Sequence, residues 1–191
     1  MDGGTLAQAS SLYVIFPLLA ALFFIALFLR YRQITHHSLP LTEKIFLELL
    51  LVLYLLAYIN LTFFANRRAT KTPQIEWRLF WSYKDAFAVK DGRSTILRLG
   101  LARQILLNIL VYVPVGLLMP LVYKKRPYIS TLLTGVLLSL LTEVMQFITH
   151  SGLCELDDLF NNTLGCLIGM MLIAVGSKLI RKLQMKRASS G

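Results

Sequence analysis

The chain has 191 residues, of which 56% are hydrophobic and only 16% are charged, and its formal net charge is +10. About a quarter of the residues of a soluble domain are charged, so this composition excludes an ordinary soluble protein. The apolar residues also come in long runs, and a run of about 20 residues can cross a bilayer as a helix. The sequence therefore predicts an all-α integral membrane protein.

The apolar runs predict five transmembrane spans. In chain order they cover residues 12–29, 45–64, 105–123, 128–148 and 159–179. A signal peptide begins with basic residues, whereas this chain has Asp2 near its start, and its first apolar run is longer than the apolar part of a signal peptide. We therefore predict a retained first helix. Five spans place the two ends of the chain on opposite sides of the membrane.

The basic residues predict which side faces the cytoplasm. Lysine and arginine concentrate after span 1, between spans 3 and 4, and after span 5. In a five-span arrangement these places share one side, which the positive-inside rule makes cytoplasmic. The N-terminus is then outside and the C-terminus inside. Basic residues placed between and after apolar runs also argue against nucleic-acid binding.

Residues 66–104 are predicted outside and yet carry an excess of basic residues. Aromatic residues recur there at about helical spacing, which is typical of a helix lying in the membrane interface. The residues predicted to contact lipid are Trp77, Arg78, Trp81 and Lys84. Outer-leaflet phosphates would then balance the basic side chains, and a solvated basic loop with a small aromatic core is the alternative.

The chain divides into four predicted parts. These are two N-terminal spans (1–65), the interfacial segment (66–104), a three-helix core (105–179) and a basic cytoplasmic tail (180–191). The core contains the polar residues that are unusual for membrane helices, so we expect the functional site there.

Span 3 carries a polar residue and two helix-modifying residues. Asn108 is either a hydrogen-bonding contact between helices or part of a site. Pro114 opens the hydrogen-bond ladder of the helix, and Gly116 leaves room for a close neighbour. These two residues are predicted to have structural roles.

Span 4 ends in Glu143 and Gln146, which are three residues apart and share one helix face. A carboxylate in an apolar helix costs on the order of 2 to 3 kcal/mol, and such residues usually face the bundle interior and mark a functional path. A glutamate that reaches water from the end of its span is the alternative.

Span 5 opens with a continuous polar face if its helix starts near Asp157. Asp158, Asn162, Gly165 and Gly169 follow at spacings that keep them on one side. The glycines allow close approach of another helix. Helix capping would account for one of the two aspartates but not for both.

Antiparallel packing of spans 4 and 5 would bring Glu143 and Gln146 close to Asp158 and Asn162, with Asn108 entering from span 3. The polar groups would then converge at one depth near the outer leaflet. Together with Asp157, these residues form the predicted binding site.

Carboxylates packed this closely imply a shared proton, a bound cation or a basic partner such as Arg103. Their oxygens suit a divalent cation, although the spacing matches no EF-hand loop and the Cys or His pairs of a zinc site are missing. No common catalytic motif is present, so we assign no catalytic residue, cofactor or metal ligand. Acid or base chemistry by Glu143 or Asp158 remains an alternative.

Two stretches resemble the VanZ-like membrane family: "NILVYVPVGLL", and "TEVMQF" followed by "GLCELDDLFNNTLGCLIG". The shared pattern is Asn and P-x-G in one helix, E-x-x-Q in the next, and DD followed by NTLG and a further Gly. The matching positions are Asn108, Pro114, Gly116, Glu143, Gln146, Asp157, Asp158, Asn162, Gly165 and Gly169. The resemblance covers about residues 100–175.

The resemblance implies a Gram-positive cell membrane and low-level resistance to teicoplanin and related glycopeptide antibiotics. It implies an outward-facing site that meets the drug, its lipid tail or a lipid-linked peptidoglycan precursor. Relatives usually have an arginine where this sequence has Ser151, so His150, Arg103 or a cation is expected to balance the acids. We therefore predict a binding protein of the cell envelope, with a membrane enzyme that modifies the precursor or the drug as the alternative.

Overall fold

The computed structural model describes residues 3–36, 38–60, 62, 75–87, 95–123, 125–150 and 152–189, with side chains from Pro17 onward. In chain order the elements are α1 (Gly3–Thr35), α2 (Leu41–Ile59), β1 (Ile75–Glu76), α3 (Trp81–Phe87), α4 (Thr95–Val122), α5 (Pro127–Thr149), β2 (Cys154–Glu155) and α6 (Leu156–Ser189). The described part of the chain is thus almost entirely helical.

Among the described residues, four stretches are long and apolar enough to cross a membrane, namely residues 17–35 of α1 and the whole of α4, α5 and α6. These helices confirm a helical fold that fits a multi-pass membrane protein. Helix α2 is outside this set because Glu43, Lys44 and Glu48 interrupt its first half. The count of five spans and the orientation of the chain ends therefore stay predictions.

Helices α1, α4 and α6 run in the same direction. Leu27 of α1 lies against Gly176 of α6, and further along both helices the Gln184 amide donates to the Thr35 hydroxyl at 2.9 Å. The apolar core lies where these helices meet α2, since side chains of α1, α2, α4 and α6 form one buried cluster.

Helix α2 runs in the opposite direction to α1 and α4. Its start is fixed by an ion pair between Arg32 and Glu43 at 2.8 Å. Near its end, the Tyr54 hydroxyl donates to the backbone oxygen of Val111 at 2.8 Å. Helix α2 therefore packs lengthwise on the bundle and brings its C-terminal end close to the middle of α4.

The closest helix contact is between α4 and α6, and glycines make it possible. A Cβ atom at Gly165 would overlap the backbone oxygen of Ile109, and one at Gly116 would overlap the backbone oxygen of Cys166. Gly169 faces α4 in the same way. This is the close approach predicted for the glycines of spans 3 and 5, and α4 stays a single helix through Pro114 and Pro120.

Two helices are longer than their predicted spans. Helix α4 begins at Thr95, within the predicted interfacial segment, and α6 continues to Ser189, through most of the predicted tail. The predicted start of span 3 at residue 105 and the predicted end of span 5 at residue 179 lie where charged residues begin. Lysine and arginine are good helix formers, so a helix can continue through them beyond the bilayer. Asn108 accordingly lies well inside α4, and not near its first turn.

Residues 75–87 of the predicted interfacial segment are less helical than predicted. Helix α3 begins only at Trp81, so Trp77 and Arg78 lie outside it, and the expected interfacial helix through Trp77 is wrong. The physical reason is Phe80, whose φ of 63° places a non-glycine residue in the left-handed region and ends any helix there. Before this turn, β1 pairs in parallel with β2. Lipid contact by Trp77, Arg78, Trp81 and Lys84 stays a prediction.

Candidate functional site

A small cavity of about 40 Å³ lies between α2, α4, α5 and α6. Its lining residues are Tyr58, Thr62, Asn108, Val111, Tyr112, Thr142, Glu143, Gln146, Asp158 and Asn162. All but one of them carry an oxygen-bearing polar side chain, within a bundle of apolar helices. A water molecule in liquid occupies about 30 Å³, so the cavity has room for one small group.

Five of the six predicted binding residues line this cavity, and Asp157 does not. The geometry follows from the packing of α5 against α6 in opposite directions. The Asn162 amide of α6 donates to the Ser139 hydroxyl of α5 at 2.9 Å, one turn before Glu143 on α5. Helical spacing then places Asp158 next to Glu143.

Glu143 is buried, with 4% of its surface exposed. Its carboxylate accepts a hydrogen bond of 2.9 Å from the backbone N–H of Glu155 in β2. Glu155 is buried too, and the Gln104 amide of α4 donates to its carboxylate at 3.4 Å. The loop between α5 and α6 thus folds back onto Glu143 and adds a second acid beside it.

Asp158 is the second carboxyl group of the cavity. The Asn108 side chain is hydrogen-bonded to it, and the carboxylates of Glu155 and Glu143 are close enough to act on it electrostatically. Asn108 therefore joins α4 to the acid cluster as well as lining the cavity. The hydrogen bond makes Asn108 a contact between helices, and a role in a functional site stays a prediction.

A chain of hydroxyl groups also lines the cavity. The Thr142 hydroxyl donates to the Leu138 backbone oxygen, which leaves its oxygen to accept a hydrogen bond from Tyr58 at 2.5 Å. The Tyr58 oxygen can then accept from the Tyr112 hydroxyl at 2.8 Å. The chain joins α2, α4 and α5 beside the carboxylates.

Gln146 retains unused hydrogen-bonding capacity. Its side-chain oxygen is buried, and none of the described residues donates to it. Its amide lies beside Gly152, where a Cβ atom would come to 3.5 Å of the Gln146 side chain. A ligand with an N–H or O–H group could use this acceptor.

Which basic group balances the acids stays a prediction, Arg103 included. Within the described ranges, no lysine, arginine or histidine forms an ion pair with Glu143 or Asp158. His150 is exposed at the end of α5, and Ser151 lies outside the described residues. No group of three His, Cys, Asp or Glu side chains in the described ranges is arranged to hold a metal ion, so a divalent cation stays a prediction.

Asp157 points away from the cavity and binds the aromatic segment. One carboxylate oxygen accepts from the backbone N–H of Phe80, and the other accepts from the N–H of Ser82 at 2.9 Å and from its hydroxyl at 2.5 Å. Asp157 is completely buried. It therefore caps a turn of the 75–87 segment, and the sequence argument that expected it in the binding site did not foresee this partner.

Two aromatic residues complete this attachment. The Phe80 ring makes an edge contact with Phe160, their centroids 5.1 Å apart, and the Tyr83 hydroxyl donates to the Asn161 side-chain oxygen. Asn161 is completely buried, although its amide nitrogen has no acceptor among the described residues. The 75–87 segment is thus fixed to the start of α6.

Sequence reasoning left several of these polar residues out of the site. They are Tyr58, Thr62, Tyr112, Thr142, Glu155 and Asn161. Tyrosine and threonine within apolar runs are usually packing residues, so their presence there did not indicate a polar site. Glu155 and Asn161 lie on either side of Asp157 and Asp158 in the sequence. Only their position relative to the start of span 5 could have indicated that they take part in these contacts.

A larger recess of about 320 Å³ lies between α1, α4 and α6. Only apolar side chains line it, among them Phe23, Leu117 and Leu172. It offers neither charge nor hydrogen bonds, so the small polar cavity is the better candidate for the functional site.

Comparison with known proteins agrees with the residue pattern. The chain matches the family model VanZ/LLP1 over residues 12–179. It is similar to Protein VanZ of Enterococcus faecium, with 27% identity over 85 residues, which are 44% of this chain and 53% of that protein. The aligned region therefore spans about half the length of this relative. No solved structure matches the chain significantly. Because the family model covers most of its length, the chain belongs to the VanZ/LLP1 family.

Proposed function

We propose that this protein is a cell-envelope membrane protein that confers low-level resistance to teicoplanin and related lipidated glycopeptides. The polar cavity would be an outward-facing site for the drug, a lipid or a lipid-linked peptidoglycan precursor. One observation carries the proposal: two carboxyl groups, the buried Glu143 and the partly buried Asp158, line one cavity within an apolar helical bundle. Such residues are costly in a membrane, and a function best explains why both are there.

The size of the cavity restricts what can enter it. At about 40 Å³ it matches a small group such as an ammonium, hydroxyl or amide, and it is far smaller than an antibiotic or a precursor. An ammonium group would form charge-assisted hydrogen bonds with the two carboxylates, and the Gln146 oxygen offers one more acceptor. The body of the ligand would then lie outside, against the surrounding surface.

The 75–87 segment is the surface proposed to hold lipid. Trp77 is 72% exposed and Lys84 is exposed too, as an interfacial contact requires. Arg78 differs from the other basic residues because its guanidinium binds both oxygens of Glu76, at 2.8 and 2.7 Å. These hydrogen bonds lower the pKa of Glu76 to about 2, so the Arg78 charge is already balanced. Trp77 and Lys84 are therefore the residues of this segment best placed to contact lipid.

Substitution of the carboxylates tests the proposal. In a susceptible host, Glu143→Gln and Asp158→Asn should each lower teicoplanin resistance when membrane levels are equal. Glu48→Gln is the matched control, because it removes the same charge from an exposed residue outside the cavity. Unchanged resistance in both cavity variants would remove the proposed site.

Cysteine accessibility tests the orientation on which the proposal rests. In a background without Cys154 and Cys166, Lys84→Cys should react with an impermeant maleimide in whole cells, whereas Lys182→Cys should not. Both lysines are exposed, and they lie toward opposite ends of the bundle. A protected Lys84→Cys together with a reactive Lys182→Cys would place the cavity on the cytoplasmic side.

An enzyme is the second candidate, and the proximity of two carboxyl groups to a hydroxyl chain favours it. One carboxyl group could act as acid and the other as base on a lipid-linked envelope precursor or on the drug. Mass analysis of precursors and recovered teicoplanin, with and without the protein, separates the candidates. A mass change that the Glu143→Gln variant abolishes would establish the enzyme, and unchanged masses would leave binding.

A further inference from the structure

At the other end of the bundle, Arg30 of α1 is a half-buried guanidinium without an acidic partner among the described residues. Its Nε donates to the Ser177 hydroxyl of α6 at 3.0 Å, and its Nη1 donates to the Gln33 side chain. A guanidinium has five N–H donors, so the described residues leave three of them without an acceptor.

A second guanidinium, that of the exposed Arg181, lies at the same end of the bundle. Arg181 follows Ser177 by four residues, so both face α1 from one side of α6. Arg181 is close enough to repel Arg30 electrostatically, and Tyr128 at the start of α5 also lies near Arg30. Three helices thus bring two like charges to one place, and an anion between them would offset their repulsion.

Two other cations at the same end of the bundle have acidic partners. Arg32 pairs with Glu43 at 2.8 Å, and Lys44 lies 3.9 Å from Glu48. Arg30 also lies more than a turn before the end of α1, so attraction to the helix C-terminus does not explain its position.

The depth of the pair identifies the source of the anion. Ser177 lies twenty-one residues beyond Leu156, about 32 Å along α6, which is close to the thickness of a bilayer's hydrocarbon core. If α6 starts at one membrane surface, Arg30 and Arg181 lie at the headgroup level of the other. Phosphate groups of lipids are at this depth, and guanidinium groups bind phosphate oxygens in pairs.

We propose that Arg30 and Arg181 form a binding site for the phosphate group of an anionic phospholipid, with Tyr128 at its edge. The site is separate from the polar cavity and does not depend on the proposed resistance function. The lipid phosphate offsets the repulsion between the two guanidiniums and thereby holds α1 against α6.

Thermal unfolding of the full chain in a neutral detergent tests the site. Phosphatidylglycerol should raise the unfolding midpoint more than phosphatidylcholine at equal concentration, because the choline charge opposes binding. Arg181→Gln should raise the phosphatidylglycerol concentration for half of this effect about tenfold, since a charge-assisted contact is lost. Lys44→Gln removes one cation at the same end of the bundle and should leave the response unchanged.

Charge reversal gives a second and independent readout. Arg181→Glu places a carboxylate beside Arg30, so the variant should unfold at a higher temperature than the original protein without lipid and should lose the preference for phosphatidylglycerol. Equal effects of the two lipids, or an Arg181→Gln variant that responds like the original protein, would overturn the proposal. The same is true if inorganic phosphate reproduces the effect of phosphatidylglycerol, because the site would then bind a free anion.

Discussion

Asp157→Asn should release the 75–87 segment from the bundle, because one buried carboxylate holds this segment by three hydrogen bonds. The donors are the backbone N–H groups of Phe80 and Ser82 and the Ser82 hydroxyl. Asparagine keeps the shape of the side chain but replaces one acceptor oxygen by an amide that is itself a donor. That amide would face an N–H group and leave it buried without a partner.

The magnitude follows from the number of bonds lost. A hydrogen bond to a charged group contributes about 1.5 to 3 kcal/mol, and Asp157→Asn removes one or two of the three. A loss of about 3 kcal/mol corresponds to a more than hundredfold increase in the population of the open segment. The edge contact of Phe80 with Phe160 is retained and limits the effect to the turn.

Hydrogen exchange measured on the protein in lipid nanodiscs checks this prediction. The amides of Phe80 and Ser82 should exchange at least about a hundredfold faster in Asp157→Asn, while those in the middle of α4 stay unchanged. Asp158→Asn is the matched control, because the neighbouring carboxylate faces the cavity and makes none of these bonds. Equal exchange in Asp157→Asn and the original protein would refute the reasoning.

Two further predictions concern the helix contact and the acid cluster. Gly165→Ala should cost about 1 to 3 kcal/mol and lower the unfolding temperature, since its methyl group overlaps the facing backbone of α4, whereas Gly100→Ala has open space and should be neutral or stabilising. Burial, and after it the nearby carboxylates with Glu143 first among them, raises the pKa of the Cys154 thiol. Glu143→Gln removes one of these negative charges and should lower that pKa, so alkylation of Cys154 near pH 8 should become faster. Glu48→Gln should leave the rate unchanged, and a rate unaffected by Glu143→Gln would contradict the proximity of the two groups.

Helical spacing explains why much of the candidate site could be predicted. Glu143 and Gln146 share a face by their spacing of three, and Asp158 and Asn162 share one by their spacing of four. A short loop forces α5 and α6 to pack in opposite directions, so these faces meet without further information. The structure places all four around one cavity.

The contacts that could not be predicted join residues far apart in the chain. Asp157 binds the turn at Phe80, and Tyr58 of α2 reaches Thr142 of α5. Periodicity within one helix does not relate such distant positions. A tyrosine in an apolar run is equally compatible with contact to lipid, packing in the protein core or a place in a binding site. The left-handed backbone at Phe80 could not be predicted either, because residues in this conformation are usually glycine or asparagine.

The unpredicted contacts change how the predicted site is built. The backbone N–H of Glu155 binds Glu143, and two residues further along the chain Asp157 binds the 75–87 segment. Strand β2, which includes Glu155, pairs with β1 at the start of that segment. One short stretch therefore fixes the cavity acid on one side and the aromatic segment on the other. The 75–87 segment and the cavity therefore form one structural unit.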